Sequence, residues 1–175
     1  MNKKLIIAGL LAGLVFNVWY TLSWTAFGWH EATWNEFPSA QQKAMNQAIT
    51  ENVPEDGVYV LYPDVENDPN ASGPFMMAAI QKTANMDMVT PMISGLIMSL
   101  LGGLVLAWLF SKTQGLSGVQ AGVFVAVVAF AGGFMSRSGD WNWWGFSFGY
   151  TFLHLVDLTI AGFLAGLVIA KVSQK

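Results

Sequence analysis

The stretch that decides the fold runs from Trp141 to Lys171 and reads WNWWGFSFGYTFLHLVDLTIAGFLAGLVIAK. It begins with an aromatic cluster and continues as a long apolar run, which is the pattern of a membrane-spanning helix with an interfacial anchor. The run contains Asp157, the only acidic side chain inside any apolar run of the chain, and His154 lies one helical turn before it. The stretch therefore predicts a transmembrane helix that carries a buried polar pair.

The composition of the whole chain is that of a membrane protein. Of its 175 residues, 54% are hydrophobic and only 11% are charged, whereas about a quarter of the residues are charged in an average soluble domain. The absence of cysteine excludes disulfides, thiolate metal ligands and thiol nucleophiles. No basic cluster indicates a nucleic-acid partner, so the lipid bilayer is the first expected partner.

Four apolar runs each approach the ~20 residues that cross ~30 Å of hydrocarbon. They predict an all-α membrane protein, a single membrane domain over residues 1–175, with transmembrane helices at residues 4–27, 90–110, 119–135 and 148–170. The first run resembles a signal peptide, but it is longer than a signal h-region and has no A-x-A cleavage site. We therefore interpret it as an uncleaved anchor.

Residues 28–88 predict a small α+β insertion between the first and second transmembrane helices. Residues 40–53 have the composition of a helix, with Ser39 as its N-cap and Pro54 ending it. The segment GVYVLYP, residues 57–63, predicts a strand. The segment PFMMAAIQ, residues 74–81, is interpreted as the returning strand, with a helix as the alternative. The insertion is acidic, with nine Asp and Glu residues against two lysines.

The positions of the basic residues predict the orientation of the chain. Short loops on the cytoplasmic side of membrane proteins carry an excess of Lys and Arg. Both termini are therefore predicted to be cytoplasmic in a bacterial inner membrane, with the insertion and the Trp-rich loop at residues 136–147 in the periplasm. The bases on the cytoplasmic side are Lys3, Lys4, Lys112, Lys171 and Lys175, and those on the other side are Lys43, Lys82 and Arg137.

Small residues recur four positions apart on every predicted transmembrane helix. This spacing lets the backbones of neighbouring helices approach closely, and it predicts a compact four-helix bundle or an oligomer without deciding between them. The pairs are Gly9 and Gly13, Ser99 and Gly103, Gly118 and Gly122, and Gly162 and Gly166.

The polar pair His154 and Asp157 is the first candidate site. The two residues share a helix face about 10 and 15 Å inside the outer boundary. Asn17 and Thr21 of the first helix lie at a comparable depth and share a face, so we expect the two pairs to meet. One interpretation is hydrogen bonding between helices. The alternative is a proton-linked or ligand-binding site, because an intramembrane carboxylate is costly and marks a functional hypothesis.

A second set of candidates lies at the outer face. An interfacial aromatic belt explains the tryptophans of residues 136–147, and the alternative is a recognition surface for a lipid head group or a partner protein. The segment WHEATWNEF, residues 29–37, is expected next to it. The candidates are His30, Glu31, Arg137, Asp140, Trp141, Trp143 and Trp144.

Metal or haem binding is a further alternative to the expectation that no cofactor is present. Met86, Met88 and Met92 carry thioethers, which suit Cu(I), but methionine also fills apolar gaps. His30 and His154 are the only histidines, and two imidazoles can hold a haem or contribute to a metal site. No nucleophile elbow, P-loop or HExxH motif occurs, so no motif indicates an enzyme.

Four short segments carry a resemblance to a known group of proteins. The segments are WHEATWNEF (29–37), GVYVLYP (57–63), GPFMMAAI (73–80) and WNWWGFS (141–147). In these, the chain resembles an uncharacterised family of small bacterial four-helix inner-membrane proteins. The resemblance implies four helices and an outer insertion, and it implies no activity or ligand.

Two functions from different classes follow as hypotheses. The leading one is a non-enzymatic membrane subunit or scaffold that binds a partner protein or lipid through its outer face, and the candidate protein partners are another membrane protein or, in a homo-oligomer, a second copy of the chain. The alternative is a small transporter or a metal- or cofactor-binding membrane protein that uses His154 and Asp157. A membrane enzyme acting on lipid or quinone is a third hypothesis, with His154 or Asp157 as a base.

Overall fold

The computed structural model describes residues 1–83, 87–113 and 115–173. Four helices of the described chain are each long and apolar enough to cross a membrane, which confirms the prediction of four apolar helices typical of a multi-pass membrane protein. A small two-stranded sheet accompanies them. In chain order the elements are α1 (Lys3–Ala26), a 3-10 turn (Glu31–Thr33), α2 (Ser39–Asn52), β1 (Gly57–Leu61), β2 (Met76–Ile80), α3 (Val89–Phe110), α4 (Gly118–Trp144) and α5 (Phe148–Ser173).

Helix α4 is longer than the sequence predicted. The sequence predicted a loop over residues 136–147, and this prediction is wrong for residues 136–144. These residues lie beyond the apolar run, but they continue the helix to Trp144. Gly145 ends α4 with a φ of 75°, in the left-handed region that glycine enters at little cost. Residues 145–147 alone connect α4 to α5.

The four long helices lie side by side in the order α3, α1, α5, α4. Helix α1 packs on both α3 and α5, and α5 packs on both α1 and α4, whereas α3 makes only slight contact with α4 and α5. The helices therefore form an open row. The compact four-helix bundle, one of the two arrangements that the small-residue spacing predicted, would have closed the contact between α3 and α4, which is slight here. Helices α1 and α5 are central, and α3 and α4 are the edges.

Glycines allow the close contact between α1 and α3. A Cβ added to Gly13 would overlap the backbone of Ser99, and one added to Gly103 would overlap the backbones of Gly9 and Gly13. The predicted small-residue pairs of these two helices thus face each other, as in close-packed transmembrane helices.

The contact between α4 and α5 uses the same device. A Cβ on Gly166 would overlap the backbone of Ala121, and one on Gly162 would crowd Ala126. Gly122 faces the ring of Phe163, while Gly118 has open space beside it. The α5 pair is therefore confirmed as a packing surface, and the α4 pair is confirmed only at Gly122.

Residues Asn35–Asp87 form a separate compact unit. Within it, β1 and β2 pair antiparallel, with Tyr59 opposite Ala78, so the interpretation of the second segment as a strand is confirmed. Helix α2 begins directly after Pro38, and Ser39 is its first residue rather than its cap. Among the described residues of this unit only Val53 is buried, so the unit has almost no hydrophobic core of its own.

Two adjacent glycines of α3 provide a test of this packing. Gly103→Ala should lower the free energy of unfolding by about 1–3 kcal/mol, because the added methyl group meets backbone that cannot move aside. Gly102→Ala is the matched control, since an added Cβ there meets nothing within 4 Å. The free energy of unfolding of Gly102→Ala should be unchanged or slightly higher, because alanine has a higher helix propensity than glycine. Unfolding in detergent micelles measures both, and equal effects of the two variants would contradict the packing.

Candidate functional site

The site is built around the carboxylate of Asp157, which is fully buried in the first half of α5. Trp19 donates its indole N–H to Oδ1 at 3.1 Å, and the hydroxyl of Ser23 lies 2.8 and 2.7 Å from the two carboxylate oxygens. Trp19 and Ser23 are four residues apart and so share one face of α1. The carboxylate therefore links the two central helices of the row.

His30 enters the site from the connection that follows α1. Gly28 turns the chain with a φ of 64°, and the turn is held by the Thr33 hydroxyl, which donates to the His30 carbonyl at 2.7 Å. The imidazole is 1% exposed, and its Nε2 lies 2.8 Å from Asp157 Oδ2. The connection thus folds back onto the helices and adds a third hydrogen-bonding side chain to the carboxylate.

Ser23 determines where the hydrogens of this cluster lie. Its Oγ accepts the indole N–H of Trp29 at 2.9 Å and also lies 2.9 Å from His30 Nε2. Because a carboxylate only accepts hydrogen bonds, the hydroxyl hydrogen of Ser23 is directed at Asp157. The Oγ lone pairs then face Trp29 and His30, so the hydrogen-bond network assigns a hydrogen to Nε2 of His30.

Ser23, His30 and Asp157 do not form a hydrolase triad, although the residue types are those of one. In a triad the serine bonds one ring nitrogen of the histidine and the carboxylate bonds the other. Here both contact Nε2, and Nδ1 of His30 is buried without a hydrogen-bond partner. The arrangement therefore orients the imidazole but cannot remove a proton from Ser23.

Aromatic rings enclose the two histidines. Trp24 stacks on His30, with ring centroids 3.9 Å apart and an angle of 4° between the planes. Tyr150 meets His154 edge-on at 4.6 Å. The centroids of His30 and His154 are 5.5 Å apart. The two histidines of the chain, which are 124 positions apart in the sequence, are thus neighbours.

The structure brings together part of the predicted polar site. His154 and Asp157 are both buried on α5, but no hydrogen bond joins them within the part of the chain that the structure describes. The hydrogen bonds from α1 to Asp157 come from Trp19 and Ser23, and not from Asn17 and Thr21. Thr21 is exposed, and its hydroxyl donates to the Asn17 carbonyl within α1 at 2.9 Å.

The candidates of the outer face are divided among several places. His30 belongs to the Asp157 site. Arg137 and Asp140 form an ion pair of 3.1 Å within α4 and are partly exposed. The remaining candidates, Glu31, Trp141, Trp143 and Trp144, are exposed.

The candidates for metal binding are also separated. Met88 and Met92 are exposed at the start of α3, and Met86 lies outside the described residues. Across residues 1–83, 87–113 and 115–173, no group of three or more His, Cys, Asp or Glu side chains is arranged to hold a metal ion.

Comparison of the chain with protein-family models, with curated proteins and with solved structures finds no match.

Two aspartates provide a matched test of the cluster. Asp157→Ala removes the acceptor of the part-buried Trp19 indole N–H and of the buried Ser23 hydroxyl, and it removes one of the two partners of His30 Nε2, so we expect a loss of about 3–5 kcal/mol in the free energy of unfolding. Asp140→Ala removes only a partly exposed ion pair and should cost at most about 1 kcal/mol. Unfolding of both variants in micelles makes the comparison, and similar losses would show that the cluster does not hold α1 and α5 together.

Proposed function

We propose that this protein is a multi-pass protein of the bacterial inner membrane that binds a small ligand in the outer half of its helix row, beside Asp157. The supporting observation is a group of buried polar atoms without hydrogen-bond partners: Nδ1 of His30, Nε2 of His154 and Oγ1 of Thr151. More than about 90% of buried polar groups in native proteins are paired, and unpaired ones indicate a water, an ion or a functional role.

These atoms belong to neighbouring side chains. Thr151 and His154 are three residues apart on α5 and share a helix face, and the rings of His154 and His30 are in proximity. The orientation of His30 is fixed by Asp157 and Ser23, and its ring is stacked on Trp24. Side chains held by such supporting contacts form a preorganised binding site.

The free-energy cost of inserting the Asp157 carboxylate into a membrane favours a function beyond hydrogen bonding between helices. A carboxylate near the middle of a membrane helix costs about 2.5–3.5 kcal/mol on insertion, and uncharged side chains can also hydrogen-bond between transmembrane helices. A carboxylate that orients an imidazole contributes something that those side chains do not. We therefore favour the ligand-binding hypothesis over the scaffold hypothesis for this site, and a binding role over an enzymatic one.

The proposed topology puts the site on the periplasmic side. Lys3 and Lys4 are the first two residues of α1, whereas Ser23 lies near the other end of that helix and His30 lies beyond that end. With the N-terminus in the cytoplasm, as the positive-inside rule favours, residues 35–87 and the turn between α4 and α5 are periplasmic and both termini are cytoplasmic.

Mass spectrometry of the intact protein, gently extracted from its own membranes, tests this function. A ligand mass should accompany the wild-type chain and should be reduced in Thr151→Val and in His154→Gln. Thr159→Val is the matched control on the same helix, because the Thr159 hydroxyl is already paired with the Leu155 carbonyl at 2.6 Å. A bare wild-type chain, or a ligand retained equally by all variants, would contradict the proposal.

The open row of helices supports a second function. In this function the protein is a subunit of a homo-oligomer or of a complex with a partner protein. Helix α3 is the least buried of the four apolar helices, with 17% of its most apolar stretch buried, and it packs mainly on α1. The same spectra measure this function. More than one copy of the chain, or a second protein at a fixed ratio, would support it, and a monomer alone would count against it.

A further inference from the structure

We propose that the ligand of this site is one divalent transition-metal ion, of the class that imidazole binds, held by Nδ1 of His30 and Nε2 of His154. This inference rests on the proposed function, because it names the ligand of the same site. Zn²⁺, Cu²⁺, Ni²⁺ and Co²⁺ belong to this class.

Nδ1 of His30 and Nε2 of His154 are both available to bind a metal ion. Nε2 of His30 carries the hydrogen that faces Asp157 Oδ2 at 2.8 Å, so in the neutral ring Nδ1 has a free lone pair. A protonated ring would instead leave a buried N–H without an acceptor, which costs about 1–3 kcal/mol. Nε2 of His154 is buried and unpaired as well. Neutral imidazole nitrogens are the commonest metal ligands in proteins.

The distance between the two imidazole rings is close to that of two ligands on one tetrahedral ion. Metal–nitrogen bonds of about 2.0–2.1 Å place the centroids of two imidazoles on one tetrahedral ion about 5 Å apart. Two imidazoles on opposite sides of one iron, as in a haem, have centroids about 6.4 Å apart with bonds of the same length. The observed separation is 5.5 Å, with 52° between the ring planes. This separation is nearer to that of two adjacent ligands on one ion than to that of two ligands on opposite sides of it.

Asp157 has the position of a carboxylate that supports a metal-binding histidine. A metal-binding histidine almost always donates its other N–H to a carboxylate or a carbonyl, which fixes the tautomer and raises the basicity of the ligand. His30 and Asp157 have this relation. Because both carboxylate oxygens accept hydrogen bonds, Asp157 supports the site rather than binding the ion directly. No group of three or more His, Cys, Asp or Glu side chains is placed to hold a metal ion among the described residues, so the proposed site has two imidazole nitrogens as its side-chain ligands.

The carboxyl group of Asp157 favours a cation over an anion as the ligand. It lies 2.8 Å from Nε2 of His30, and its other partners, Trp19 and Ser23, carry no charge.

The charged side chains Arg137 and Asp140 are paired with each other. Thr151, three residues before His154 on the same helix face, carries the third unpaired buried atom of the site.

Titration of the full-length protein with Co²⁺ tests the inference. The protein is stripped of metal with EDTA in detergent micelles, and the visible absorption of Co²⁺ reports its ligands. We expect one ion per chain, displaced by Zn²⁺. His154→Gln should abolish binding, and Asp157→Asn should weaken it about 10–100-fold, because the carboxylate only supports the ligand. Met92→Leu is the control for binding by thioethers and should retain the wild-type affinity.

A measurement without variants covers the case in which His154→Gln does not fold. The chain has two histidines, so the electron paramagnetic resonance spectrum of bound Cu²⁺ should show coupling to two imidazole nitrogens. No bound ion, or binding that persists in His154→Gln, or binding lost in Met92→Leu, would overturn the inference.

The outcomes separate this inference from the proposed function. A wild-type chain that carries an organic ligand dependent on His154 and takes up no Co²⁺ would leave the proposed function standing and remove the metal. A bare wild-type chain that takes up no Co²⁺ would remove both.

Discussion

A buried carboxylate in a membrane helix must receive hydrogen bonds from protein, because hydrocarbon offers none. Asp157 receives them from two separate parts of the chain: Trp19 and Ser23 on α1, and His30 in the connection beyond it. This requirement fixes which face of α1 meets α5. It also fixes the path of the chain after α1, since His30 reaches the carboxylate only if the connection folds back.

The rest of the helix row extends from that central pair by close backbone contact. Gly13 and Gly103 bring α3 against α1, and Gly162 and Gly166 bring α4 against α5. Between transmembrane helices in general, such contacts depend on shape and van der Waals packing rather than on the hydrophobic effect, because lipid is as apolar as a leucine side chain. The polar and the small-residue contacts together account for the order of the four helices.

The sequence predicted the features that depend on local pattern. The four apolar helices, the small-residue spacing and the isolated Asp157 are all visible in short windows of sequence. The partners of Asp157 are not, because Ser23 is a single hydroxyl in an apolar run and Trp19 has the position expected of an interfacial anchor. His30 is 127 positions from Asp157, and only the tertiary fold makes them neighbours. The sequence did not predict the end of α4, because the polar residues 136–144 end the apolar run without ending the helix.

Both the proposed ligand site and the proposed metal ion depend on which nitrogen of His30 carries the hydrogen. Nitrogen-15 NMR of the histidine side chains, in metal-free protein reconstituted into lipid bilayers, tests it directly. The chain has two histidines, so the signals are few. We expect a neutral His30 with its hydrogen on Nε2 and a free lone pair on Nδ1. A hydrogen on Nδ1, in either a neutral or a protonated ring, would contradict it.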